Sequence, residues 1–138
     1  SCGGYPYDLD LYQATKALTA VYDGLRQSGG IVLVAGLEEG MGTPVFDRFM
    51  RLAMDNFDAA IDELEEDFTI PAYIATKTVY ELKNRKCALV TQNKDVAFPG
   101  LITNDVKEAL RHVAGTNFEG KALFVPTGNA VHVKIKEV

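Results

Sequence analysis

Apolar residues at Leu11, Ala14, Leu18, Val21, Tyr22 and Leu25 recur at steps of three and four, which predicts an amphipathic helix from about Leu11 to Leu25. Asp8 or Asp10 can cap it, and Ser28-Gly29-Gly30 ends it. The following run Ile31-Val32-Leu33-Val34-Ala35-Gly36 is β-branched and does not alternate, so it reads as a buried parallel strand. After the turn-rich Glu38-Glu39-Gly40-Met41-Gly42, Thr43-Pro44 opens a helix with a cap residue followed by proline. The helical pattern continues to about Asp67, with a break near Asp55. Pro71 starts a further helix reaching about Asn84, with Arg85-Lys86 at its negative end. A second buried strand is expected at Cys87-Ala88-Leu89-Val90-Thr91, then a loop containing Phe98-Pro99-Gly100 and a short helix from about Asn104 to Val113 that stops at Gly115. A third strand is expected at Ala122-Leu123-Phe124-Val125-Pro126, then a turn at Thr127-Gly128-Asn129 and an edge strand from Val131 to Ile135.

Strands separated by helices predict an α/β fold: a three-layer, Rossmann-like domain with a mostly parallel sheet and helices on both faces. No repeat or linker divides the chain, so residues 1–138 are expected to form a single α/β domain. A length of 138 residues with 47% hydrophobic and 24% charged positions excludes disorder and low complexity. The formal charge of −5 makes the chain as a whole repel nucleic acid and anionic membrane surfaces, so neither is expected as a partner. No apolar run approaches the ~20 residues of a membrane span, and no basic-then-apolar leader is present. Two cysteines are too few for a disulfide scaffold and no Cys/His cluster has metal-site spacing, so no metal is expected on this chain and a cytoplasmic setting is. The chain opens on Ser1-Cys2-Gly3-Gly4-Tyr5-Pro6 rather than on Met, which reads as a cut inside a longer protein.

Ligands of open α/β sheets collect at the carboxyl ends of the strands. That rule selects Gly3-Gly4 with the start of the first helix, Glu38 to Thr43, and Thr127-Gly128-Asn129. On a helical wheel Gln13 and Lys16 fall opposite the apolar stripe and next to each other, one turn apart. The same outward side carries the small residues Ala17, Thr19 and Ala20, which suggests a surface covered by a ligand or by another domain. Two readings stay open for the polar pair. Lys16 and Gln13 could grip a carboxylate or polyol beside the positive end of the helix dipole. Alternatively, Asp10 and Gln13 form a capping box and Lys16 is merely solvated.

Gly40-Met41-Gly42 between a strand and a helix admits a phosphate-binding reading, against which stand the missing third glycine and the charges of Glu38 and Glu39. The alternative is a tight turn. His112 and His132 have no acidic or cysteine partner in sequence and read as surface or packing residues. The acidic stretch Asp62 to Asp67 reads as a solvated helix face, and Cys87 as an inert buried thiol.

Gly3-Gly4-Tyr5-Pro6, Asp8, Leu11-Tyr12-Gln13-Ala14-Thr15-Lys16-Ala17, Gly29-Gly30-Ile31-Val32-Leu33-Val34-Ala35 and Glu39-Gly40-Met41-Gly42-Thr43-Pro44-Val45-Phe46 together resemble the C-terminal domain of the nickel-dependent lactate racemase family, in order and in spacing. The likeness is one of motifs over residues 1 to about 50 and of architecture beyond them. It implies an enzyme that racemises or epimerises a 2-hydroxy acid by reversible hydride transfer to a nickel pincer nucleotide. The resemblance assigns that cofactor, its tethering lysine and the proton-moving histidines to an N-terminal domain, the implied partner, which this chain lacks. The C-terminal domain closes over the site, and 138 residues alone are expected to be inactive. By the same resemblance Gln13 and Lys16 contact substrate, and Tyr73 is carried over to the substrate side. Gly3, Gly4, Glu39, Gly40 and Gly42 border the cofactor cleft, and no catalytic residue falls on this fragment.

Two other classes compete. Leu25-Arg26-Gln27-Ser28-Gly29-Gly30-Ile31-Val32-Leu33-Val34 resembles the helix-GG-strand stretch of S-adenosylmethionine-dependent methyltransferases, although no glycine-rich first motif with an acidic strand end accompanies it. A non-catalytic α/β ligand-sensing module is the third reading, and it predicts that Lys16 is dispensable.

Overall fold

The structure, a computed structural model, describes residues 1–117 and 119–133. The first helix, α1 (Leu11–Tyr22), begins where Asp10 in extended conformation accepts the Gln13 N–H at 2.7 Å. It ends at Tyr22, three residues earlier than the periodicity suggests. There the chain relaxes into tighter turns, with Gly24 N–H donating to Val21 and Leu25 N–H to Tyr22. Gly24 lies directly under Val133, where a Cβ would come within 2.5 Å of a valine methyl. Strand β1 (Ile31–Val34) follows. Gly30 admits no side chain because its Cβ would stand 2.3 Å from Val113 Cγ1 and 2.7 Å from the Lys86 carbonyl.

Helices α2 (Pro44–Asp55) and α3 (Phe57–Glu66) realise the expected break, and Asn56 makes it. Its N–H closes α2 on Leu52, and its side chain caps α3 by accepting from Ala59 at 3.1 Å. Helix α4 (Ile70–Leu82) is capped by Thr69. Arg85 does not serve the end of α4: its guanidinium donates to the carbonyls of Arg26, Gln27 and Gly29 at 2.8, 3.2 and 3.3 Å and lies over the Tyr22 ring. One cation thus closes the turn after α1 and ties it to α4.

Strands β1, β2 (Cys87–Val90) and β3 (Leu101–Thr103) form a parallel sheet in that order, with Ile31 opposite Cys87 and Ala88 opposite Leu101. Alternation sorts the side chains. Ile31, Leu33, Cys87 and Leu89 join the cluster built by α1, α2 and α4, while Val32, Val34, Ala88 and Val90 pack against α5 (Val106–Ala114). These are the three layers expected.

The third strand differs from expectation. Leu101-Ile102-Thr103, expected as part of the loop, pairs with β2, because Gly100 carries no Cβ; one there would stand 2.4 Å from the Cys87 carbonyl oxygen and hold the two strands apart. The expected strand Ala122 to Pro126 forms no ladder, and Leu123 and Phe124 are 75% and 76% exposed. The expected edge strand is likewise absent over Val131–Val133, and residues 134 and 135 lie outside the described residues. Instead, a short 3₁₀ turn at Gly128–Ala130 packs on α1, with Gly128 against Ala17, and Val133 N–H donates to the Ala20 carbonyl at 2.9 Å.

Phe46 is fully buried with its ring 5.4 Å from that of Tyr12, joining α2 to α1 beneath the carboxyl edge of the sheet. Phe46→Ala is expected to lower unfolding free energy by roughly 3–5 kcal/mol, read by urea denaturation with unchanged m. Burial pushes the thiols of Cys2 and Cys87 up to about 11 from 9.0. A raised folded-state value favours the protonated native form, so stability should fall between about pH 9 and 11 as the unfolded chain ionises first. Denaturation midpoints that stay flat over that interval would contradict it.

Candidate functional site at the carboxyl edge of the sheet

The opening segment is stitched to the end of β1. The Asp8 carboxylate accepts the Gly36 N–H at 3.1 Å, while the Asp8 carbonyl accepts from Leu37 at 2.8 Å and the Leu9 carbonyl from Glu39 at 2.8 Å. Leu11 N–H then donates to Gly40 at 2.9 Å. Together these bonds put the N-terminus of α1 over the carboxyl edge. Leu37 adopts φ of 60° with its side chain fully buried, a conformation that non-glycine residues hold only under constraint from their surroundings.

That constraint comes from the exit of β2, through residues the sequence reading had not singled out. Thr91 Oγ1 donates to the Gly36 carbonyl at 2.9 Å, and Asn93 Nδ2 to the Leu37 carbonyl at 2.9 Å. A polar run, Thr91-Gln92-Asn93, directly after a buried apolar strand was the available signal. Asp8 and Asn129 complete the rim. Asn129 Nδ2 donates to the Tyr7 carbonyl at 3.3 Å, and its Oδ1 is buried with no partner.

Gln13 and Lys16 are brought together. Lys16 Nζ donates to Gln13 Oε1 at 2.6 Å, with Lys16 exposed and Gln13 half-buried. Asp10 accepts the backbone N–H of Gln13, one half of the capping box, while the Gln13 side-chain oxygen turns to the lysine. Since the partner is a neutral oxygen, the charge of Lys16 is uncompensated within the pair. The small residues beside it have another explanation than the expected absent cover. Ala17 is 4% exposed because Gly128 lies on it, and the Ala20 carbonyl is taken by Val133. Of the three only Thr19 stays exposed, and Lys77 Nζ reaches its hydroxyl at 3.4 Å.

Tyr73 closes the first turn of α4, 42% exposed, its ring 5.9 Å from that of Phe68. Gly3 and Gly4 have φ of 97° and 80°, and a side chain at Gly4 would meet nothing within 4 Å, so this backbone is open at the rim. Gly42 has a different reason to be glycine: at φ of 91° its Cβ would stand 3.0 Å from the Asp10 carboxyl and 3.1 Å from Tyr12. Gly40 turns at φ of 70° and Met41 is buried, its sulfur accepting the Ala97 N–H. With Asp10 against Gly42 and the Glu38 and Glu39 side chains exposed nearby, the loop is a tight, negatively flanked turn and a poor cradle for phosphate.

His112 and His132 are exposed. Cys2 and Cys87 donate to the carbonyls of Ala14 and Pro99 within the core. Among the described residues no three His, Cys, Asp or Glu side chains converge as metal ligands. None of the described helices is long and apolar enough to cross a membrane.

Comparison with known proteins finds relatives that cover nearly the whole chain. A lactate racemase from Thermoanaerobacterium thermosaccharolyticum is 28% identical over 144 aligned positions, covering 99% of this chain and 34% of that protein. One from Lactiplantibacillus plantarum is 45% identical over 40 residues, 29% of this chain and 9% of the relative. The structure of the lactate racemase apoprotein from T. thermosaccharolyticum superposes with a TM-score of 0.82 and 25% identity, covering 97% of this chain and 34% of that one. The chain thus spans about a third of the length of the T. thermosaccharolyticum relative. The family model for the lactate racemase C-terminal domain matches residues 1–133, and the chain therefore belongs to the lactate racemase C-terminal domain family.

Proposed function

We propose that this chain is the substrate-capping domain of a lactate racemase-like isomerase that racemises or epimerises a 2-hydroxy acid by reversible hydride transfer to a nickel pincer nucleotide held by an N-terminal domain. The observation that carries the reading is the Lys16–Gln13 pair. An uncompensated ammonium and an amide meet at 2.6 Å on the open side of α1, in a chain of this family. The relative's 34% coverage leaves room for a domain that supplies the hydride acceptor and the proton-moving groups. No step through the nickel group is assigned to the residues of this chain.

What this chain supplies is binding and orientation. Lys16 Nζ retains two N–H donors beyond the one engaged by Gln13, enough for a charge-assisted hydrogen bond to a substrate carboxylate. The Gln13 amide nitrogen is free to donate to a second substrate oxygen, and two such contacts fix which face of the α-carbon is presented. Gly3 beside Thr127 and the open backbone at Gly4, with the Glu39–Gly42 turn, border the cleft toward the cofactor. Tyr73 lies on the substrate side.

The methyltransferase-like alternative loses its support, because Gly30 is required by packing against Val113 and Lys86 and the family match lies elsewhere. A sensing module remains distinct in one respect: it makes Lys16 dispensable.

In the complete protein carrying its cofactor, Lys16→Ala should lower kcat/KM for inversion about 10- to 150-fold, the effect of losing one charge-assisted hydrogen bond of ~1.5–3 kcal/mol. The far-ultraviolet circular dichroism spectrum should not change. Lys16→Arg should recover part of the loss. Wild-type turnover in Lys16→Ala would refute the assigned role and favour the module.

A further inference from the structure

The first two N–H groups of α1 are satisfied by another part of the chain. Leu11 N–H donates to the Gly40 carbonyl at 2.9 Å and Tyr12 N–H to the Met41 carbonyl at 3.4 Å, so the helix N-terminus is docked on the turn over residues 36–41. The segment leading into α1 is bound to the same turn, with Asp8 accepting from Gly36 and Leu37 and Leu9 accepting from Glu39. Wherever this turn stands, α1 stands with it, and so do Gln13 and Lys16 in its first two turns.

On its other side the turn is braced by two side chains from the exit of β2. Thr91 is buried, its Oγ1 donating to the Gly36 carbonyl at 2.9 Å and accepting the Asn93 N–H at 3.2 Å. Asn93 Nδ2 donates to the Leu37 carbonyl at 2.9 Å, and Asn93 Oδ1 accepts the Asp95 N–H at 2.9 Å. The Leu37 carbonyl thus has two donors, since Gly40 N–H reaches it at 3.0 Å. Leu37 holds its φ of 60° only while its surroundings over-determine it. Removing the brace frees Leu37 to relax, and the Gly40 and Met41 carbonyls that seat α1 move with it.

We propose that Thr91 and Asn93 are positioning residues for the Lys16–Gln13 pair. Their side-chain donors end on backbone carbonyls, and through the 36–41 turn they fix where α1 holds the pair over the strand ends. The inference rests on the reading of that pair as the substrate contact and adds the residues that keep it in place. A displacement on the order of 1 Å at an aligned binding group costs up to ~100-fold, so loss of the brace is read in substrate handling even where the fold persists.

The test uses uncharged replacements, so that no new field acts on an anionic substrate. Thr91→Val keeps the shape and removes the hydroxyl, Thr91→Ser restores it, and Asn93→Leu replaces the amide by methyl groups. In the complete cofactor-loaded protein with lactate as substrate, Thr91→Val and Asn93→Leu are each expected to lower kcat/KM about 5- to 50-fold, chiefly through KM. Thr91→Ser should recover most of the loss. Leu82→Ala, a core truncation at the far end of α4, is the control: it should lower Tm at least as much and leave KM at its wild-type value. The deciding readout is the double variant. Because Thr91 acts through Lys16, adding Thr91→Val to Lys16→Ala should lower kcat/KM by less than about twofold further. Full additivity in that double variant, or a wild-type KM in both Thr91→Val and Asn93→Leu, would overturn the inference, while the impairment of Lys16→Ala alone would still support the reading of the pair. Wild-type turnover in Lys16→Ala would remove both.

Discussion

Asp8 holds the exit of β1 with two groups at once, its carboxylate on the Gly36 N–H and its carbonyl on the Leu37 N–H. The position of α1 depends on this clamp. Without it, the link from Leu11 to Gly40 has nothing to register against, and the open side of the helix loses its place over the strand ends. The same clamp explains how Leu37 can stay at positive φ. Thr91 and Asn93 hold its neighbours' and its own carbonyl from the β2 side, so the strained residue is bonded from two directions. A carboxylate bonded to backbone N–H groups is stronger than a neutral equivalent, which suits a junction where three chain segments meet.

On this platform the chemistry is simple. Lys16 and Gln13 are one helical turn apart, a spacing that makes their contact almost automatic, and what is particular is where the helix carries them. The groups that this chain brings to the strand ends are suited to binding and orienting an anion, and the described residues offer no metal-ligand cluster.

Features governed by neighbours in sequence were legible. Asp10 and Thr43 cap the helices that follow them, the break before α3 falls beside Asp55, and Gly115 ends α5. Strand assignment was less legible, because a short apolar run becomes a strand only if an edge is available. Leu101–Thr103 finds β2 through the close approach of Gly100, whereas Leu123 and Phe124 have strand-like composition and no ladder. At the site, the Lys16–Gln13 contact followed from spacing, but the meaning of Ala17 did not. Its wheel position faces outward, yet Gly128, more than a hundred residues away in the chain, covers it. Thr91 and Asn93 were missed for the same reason, since their partners belong to another loop.

The most direct measurement is a crystal structure of the complete protein with a 2-hydroxy acid bound. The account predicts the ligand carboxylate against Lys16 Nζ at about 2.7–2.9 Å. A ligand held wholly by other residues, with the open side of α1 turned to solvent, would contradict it.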